Sequence, residues 1–151
     1  MTLPRLAAVA LLLSSCATPV NPTLVQDGQL LVAGLTALVP LLPPGKDQST
    51  ATAALTTVSA DLTELKSGAQ TPAVFIGLVE TSINGMAPTI LADVGANATI
   101  ATGVKALQGM LPVLAADLAP PVVAAPVTAM AVAPVADPRA ALRGWVGVVG
   151  R

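Results

Sequence analysis

Residues 71–90, TPAVFIGLVETSINGMAPTI, carry Ile76, Val79, Ile83, Met86 and Ile90 at spacings of 3, 4, 3 and 4. That spacing returns one stripe of a 3.6-residue helix to the same neighbour every two turns, whereas a strand needs apolar residues at period two. The segments on either side repeat the pattern. Before it, Ala51, Leu55, Val58, Leu62 and Leu65 are spaced 4, 3, 4 and 3, with Ser49 or Thr50 as N-cap and Gly68 as terminator. Earlier still, Leu31, Leu35, Leu38 and Leu42 form a seam stopped by Pro43-Pro44-Gly45, and after it Asn97 opens a stretch with Ile100, Val104, Leu107, Leu111, Leu114 and Leu118. Sustained period-two alternation is missing from this region, and the connections are short. The expected fold is all-α, an up-down four-helix bundle over residues 27–118.

Helices three and four echo one another. Ile83-Asn84-Gly85-Met86-Ala87-Pro88-Thr89-Ile90 aligns at an offset of 24 with Leu107-Gln108-Gly109-Met110-Leu111-Pro112-Val113-Leu114, and Asp93 then matches Asp117. Pro40 stands 48 residues before Pro88, two such offsets away. A proline inside a helix removes one backbone bond, so Pro40, Pro88 and Pro112 predict kinks or early 3₁₀ endings.

Composition narrows the chemistry. The 151 residues are 54% hydrophobic, 1% aromatic and 10% charged, with no histidine and no tyrosine, so the commonest general base and metal ligand are both missing. One domain with a tail fits this length, and a separate cofactor domain does not. No cofactor and no metal site are expected, for the chain also lacks an Asp/Gly-rich calcium loop. Residues 16–118 hold three lysines against seven acids, and there is no glycine-rich phosphate loop or aromatic stacking platform, which excludes a nucleic-acid partner.

The N-terminus is an address. Arg5 precedes the apolar run Leu6–Leu13, LAAVALLL, which spans about 12 Å as a helix and is too short to cross a membrane of about 30 Å. Leu13-Ser14-Ser15-Cys16 at its end resembles the lipobox of bacterial lipoproteins. That resemblance implies recognition of Leu13, Ser14 and Ser15 by signal peptidase II, diacylglyceryl transfer to the Cys16 thiol, cleavage before Cys16, and N-acylation of the new terminus. A single cysteine in an exported chain cannot form an internal disulfide, which fits a lipidated rather than a structural thiol. In the lipoprotein family an Asp after the cysteine retains the protein at the inner membrane; Ala17 stands there instead, so the implied location is the periplasmic leaflet of the outer membrane. The mature region is similar in style to small lipoproteins of alphaproteobacterial type, some of them in prophage regions, and only Cys16 carries over as a functional residue.

The chain thus divides into a signal peptide at 1–15, a lipidated tether at 16–26, the bundle at 27–118 and a tail at 119–151. Pro120, Pro121, Pro126, Pro134 and Pro138 fall among Ala and Val in that tail, which is expected to be extended or largely disordered. Leu118–Ala136 has no charged residue, but its prolines argue against a membrane span. Arg139, Arg143, Trp145 and Arg151 combine cations with the sole tryptophan and suit a membrane interface or an anionic polymer.

Chemistry-bearing pairs are sparse. Thr63/Lys66 and Thr102/Lys105 have nucleophile–base spacing without the companion motifs of penicillin-recognising enzymes, and Asp61/Glu64 is expected on a solvated face. Glu80 and Asn84, beside Gly77 and Gly85, share one helix face and are, with Trp145, the candidate interaction positions. No catalytic residue is expected. Low surface charge with many Ala and Gly positions favours contact with a second copy, an envelope protein or lipid. The first functional expectation is a non-enzymatic envelope lipoprotein acting as a structural or interaction module. The alternatives are a membrane-active accessory of phage-lysis type and an apolar-ligand carrier.

Overall fold

The structure, a computed structural model, describes residues 20–93, 97–118 and 137–151, and these are all-helical. Five α-helices run in chain order: α1 (Pro22–Leu38), α2 (Lys46–Ser67), α3 (Pro72–Asp93), α4 (Ala98–Ala116) and α5 (Pro138–Val149). Leu13, Ser14, Ser15 and Cys16, which resemble a lipobox, lie outside the described residues, as does most of the stretch expected to be disordered.

Each helix start has a local cause. The Asn21 side chain accepts a hydrogen bond from the Thr23 N–H at 3.0 Å, and Pro22 follows at the position where a missing N–H costs nothing. Helix α1 therefore begins inside the stretch read as tether. Asn97 caps α4 by accepting from Thr99 and Ile100, where the sequence places it. Helix α2 differs from expectation. Gly45, at φ 139°, lets the chain turn straight into a helix at Lys46, and the hydroxyls of Ser49 and Thr50 bond back to the Lys46 carbonyl instead of capping. Gly68, at φ 74°, closes α2 with its N–H on the Glu64 and Leu65 carbonyls.

The seams become the core. Helix α1 packs against α2, α4 and α5, α2 against α3, and α3 against α4. Leu31, Leu35, Leu38, Val58, Leu65, Val79, Ile83, Ile90, Val104, Leu107 and Leu114 have no exposure. The internal echo is one burial pattern used twice: Met86 and Met110 are buried between the buried pairs Ile83/Ile90 and Leu107/Leu114, while Pro88 and Pro112 face outward. Pro40 sits in a 3₁₀ turn, Val39–Leu41, as expected, but Pro88 and Pro112 lie inside continuous helices.

The main departure is the C-terminus. Residues 138–149 of the stretch expected to be extended or disordered form α5, which lies on α1 and α4. Asp137 accepts from the Arg139 N–H at 3.0 Å and Pro138 occupies the first turn, a start signal that the preceding run of prolines obscures.

Candidate functional site

What holds α5 begins with an acid in an apolar seam. Asp27 lies four residues before Leu31, on the inward stripe of α1, and is only 2% exposed. A carboxylate there needs a partner, because desolvating an unpaired charge is prohibitively costly. Arg139, in the first turn of α5, supplies it. Its Nε donates to Asp27 Oδ1 at 2.9 Å and Oδ2 at 3.0 Å, and its Nη2 donates to Oδ2 at 2.6 Å. The same Nη2 reaches both carboxylate oxygens of Asp117, beyond the end of α4, at 3.3 Å. One guanidinium thus ties three helices together. Burial, then the neighbouring Asp27 carboxylate, push the Asp117 carboxyl above its usual range, while Arg139 pulls it back; the bonds to Asp27 hold Arg139 even more firmly protonated than a free arginine. The Asn21 side-chain amide donates to the Asp117 carbonyl at 3.4 Å, so the start of α1 joins the same cluster.

Further along α5, two side chains fill recesses left by glycine. A Cβ on Gly34 would lie 2.8 Å from Leu107 Cδ2 and 3.0 Å from Leu142 Cδ1, and a Cβ on Gly103 would fall within the Trp145 ring. These glycines allow the α1 and α4 backbones to approach Leu142 and Trp145 closely. The Trp145 indole N–H donates to the Thr99 carbonyl at 2.8 Å, and its ring is 7% exposed. Trp145 is thus a core residue of the α4/α5 contact, where the sequence suggests a membrane-interface position. Arg143 and Arg151 are exposed.

Alongside this contact runs an open apolar trough of about 540 Å³, lined by Ala98, Thr99, Thr102, Ala141, Trp145 and Val148 among others. A second hollow of about 310 Å³ shares Thr102 and Ala141 and extends toward Lys105 and Gly109.

The remaining sequence candidates fall elsewhere. Glu80 and Asn84 are both exposed on α3, away from α5, and so are Gly77 and Gly85. Thr63, Lys66, Thr102 and Lys105 are exposed, and the Thr63 hydroxyl donates to the Ser59 carbonyl. Asp61 overturns the expectation of a solvated face: it is buried at 9% exposure with Oδ2 unpartnered, while Glu64 is exposed. Three residues after Val58 and four before Leu65, it lies on their buried stripe, and burial first, then Glu64, raise its carboxyl above the usual range. Asp47 is also buried with an unpartnered Oδ1, and burial and the nearby Asp93 carboxylate shift it in the same direction.

Sequence reasoning did not single out Asp27, Asp117 or Arg139 as a unit. The available signal was an acid in register with a leucine seam. Compared with family models, curated proteins and solved structures, the chain gives no match.

Proposed function

We propose that the protein is a non-enzymatic lipoprotein of the bacterial cell envelope, cleaved before Cys16, acylated there, and held in the periplasmic leaflet of the outer membrane. The observation that carries this reading is Leu13-Ser14-Ser15-Cys16 directly after the apolar run LAAVALLL. Three acyl chains, at about 0.8 kcal/mol per buried methylene, make such an anchor effectively permanent. The anchored body is an up-down four-helix bundle whose α1/α4 seam is closed by α5, a structural or interaction module that presents a weakly charged surface to a second copy or an envelope partner. Labelling cells with palmitate tests the anchor: the wild-type chain takes up label and Cys16→Ala does not. Label persisting in Cys16→Ala would refute the assignment.

A second reading has its own support. Pro22–Leu41, Pro72–Asp93 and Ala98–Ala116 are each long and apolar enough to cross a membrane. In a membrane-active accessory these helices would leave their partners and enter a bilayer. Induced expression that leaks an entrapped dye or lyses cells would favour this reading over the first.

A further inference from the structure

The start of α1, the end of α4 and the start of α5 are at the same end of the helical body. Asn21 bonds to Asp117, and Arg139 joins Asp27 to Asp117, so the first turns of α1 and α5 and the end of α4 are held side by side. The first turn of α3 is at this end too, because a Cβ on Gly28 of α1 would lie 3.1 Å from the ring of Phe75.

Exposed apolar side chains gather there. Among the described residues the large exposed hydrophobics are Val74 at 52%, Leu78 at 39%, Leu118 at 40% and Val148 at 74%. Val74 and Leu118 stand at this end and Leu78 one turn below Val74; only Val148 belongs to the other. The charged groups here are Lys66 and Glu64, exposed in the last turn of α2, exposed Asp137 at the start of α5, and the Arg139 cluster with Asp27 and Asp117. At the opposite end Lys46, Asp93 and Arg151 are exposed.

Chain length decides what covers this apolar end. Five residues, Ala17–Asn21, separate Cys16 from Pro22, the first residue of α1, and fully extended the six steps between them reach at most about 22 Å. Resting on the proposed lipidation of Cys16, we infer that the Val74/Leu118 end of the helical body docks on the surface of the bilayer that holds the anchor, with Val74, Leu78 and Leu118 in the interfacial layer and Lys66 among anionic headgroups. The helices then stand on end, and Lys46, Asp93 and Arg151 form the membrane-distal face. Tethering makes the contact intramolecular, so a small apolar patch suffices where it would bind lipid only weakly from solution.

Site-specific labelling of the full lipidated chain tests the orientation. With Cys16 acylated, the new cysteine in Val74→Cys, Leu118→Cys or Val148→Cys is the one free thiol. Each variant, labelled with an environment-sensitive fluorophore, is reconstituted in phosphatidylethanolamine/phosphatidylglycerol vesicles containing a nitroxide-bearing lipid. Severalfold stronger quenching at positions 74 and 118 than at 148 is the expected result. Equal quenching at all three positions, stronger quenching at 148, or labels at 74 and 118 shielded from both lipid nitroxide and aqueous iodide, as a protein partner would shield them, overturns the docking while leaving the anchor intact. A mass showing an unmodified Cys16 overturns the anchor and the docking together.

Discussion

Replacing Arg139 by alanine removes the group that neutralises Asp27, and the consequence can be worked through. Asp27 is 2% exposed and receives three hydrogen bonds from the guanidinium. Breaking a fully buried ion pair by removing one partner costs about 3–5 kcal/mol. The Arg139 side chain is 30% exposed, which screens the pair, so about 2–3 kcal/mol is the appropriate size here. Helix α5 buries only Leu142 and Trp145, together contributing roughly 3–6 kcal/mol before the cost of ordering the helix. Losing the clasp therefore removes much of the net attachment of α5. The assay is urea unfolding followed both by fluorescence of Trp145, the sole tryptophan, and by far-UV circular dichroism. In the wild type the two transitions coincide. In Arg139→Ala the fluorescence transition shifts to lower urea, ahead of the helix signal. Arg139 is the one group that lowers the Asp117 carboxyl, which burial and the facing Asp27 carboxylate already raise, so its loss moves the folded-state Asp117 further above its unfolded value. That penalty is full at neutral pH and shrinks as pH falls through the raised folded-state value of Asp117. The separation of the two transitions is therefore larger at pH 7.5 than at pH 5. Coincident transitions with an unchanged midpoint at pH 7.5 would refute the reasoning.

Gly103→Ala would gain about 1 kcal/mol of helix propensity at an ordinary helical site, yet its Cβ falls within the Trp145 ring. The expected outcome is net destabilisation with a red-shifted Trp145 emission, checked by thermal melting and fluorescence. Asp47, Asp61 and Asp117 have carboxyls raised mainly by burial, so the folded state binds protons more tightly than the unfolded chain and each group lowers stability at neutral pH. Asp61→Asn accordingly raises the melting temperature at pH 7.5, and the gain fades as pH falls toward about 4, the unfolded carboxylate range. Pro112, exposed within α4, denies that helix one backbone bond; Pro112→Ala raises the urea midpoint, by an amount up to the roughly 3 kcal/mol separating the two residues in a helix interior.

Most of the helical architecture was legible because the seams are long and their spacing regular. Leu31, Val58, Ile83 and Leu107 lie on those seams and are fully buried. The reading weakened at the ends, where a single backbone angle outweighs side-chain pattern: Gly45 starts α2 without a side-chain cap, and α4 stops at Ala116, leaving Leu118 exposed although it is in step with Leu114. Helix α5 was hidden because Leu142 and Trp145 give too short a stripe to stand out beside a proline-rich approach. Its sequence makes sense only against Gly34 and Gly103, far away in the chain. The clasp was illegible for a related reason. Asp27 stands in register with the leucine seam of α1, but the arginine that neutralises it lies 112 residues later in the chain. The resemblance of Leu13-Ser14-Ser15-Cys16 to a lipobox is the converse case, a local signal that no packing argument strengthens.

The most direct test of the lipoprotein reading is the mass of the N-terminal peptide of the mature protein, purified from membranes of the producing cell. A chain beginning at Cys16 and carrying a diacylglyceryl thioether and an N-acyl group is the expected result. A chain beginning elsewhere, or one whose Cys16 thiol is free, would contradict it.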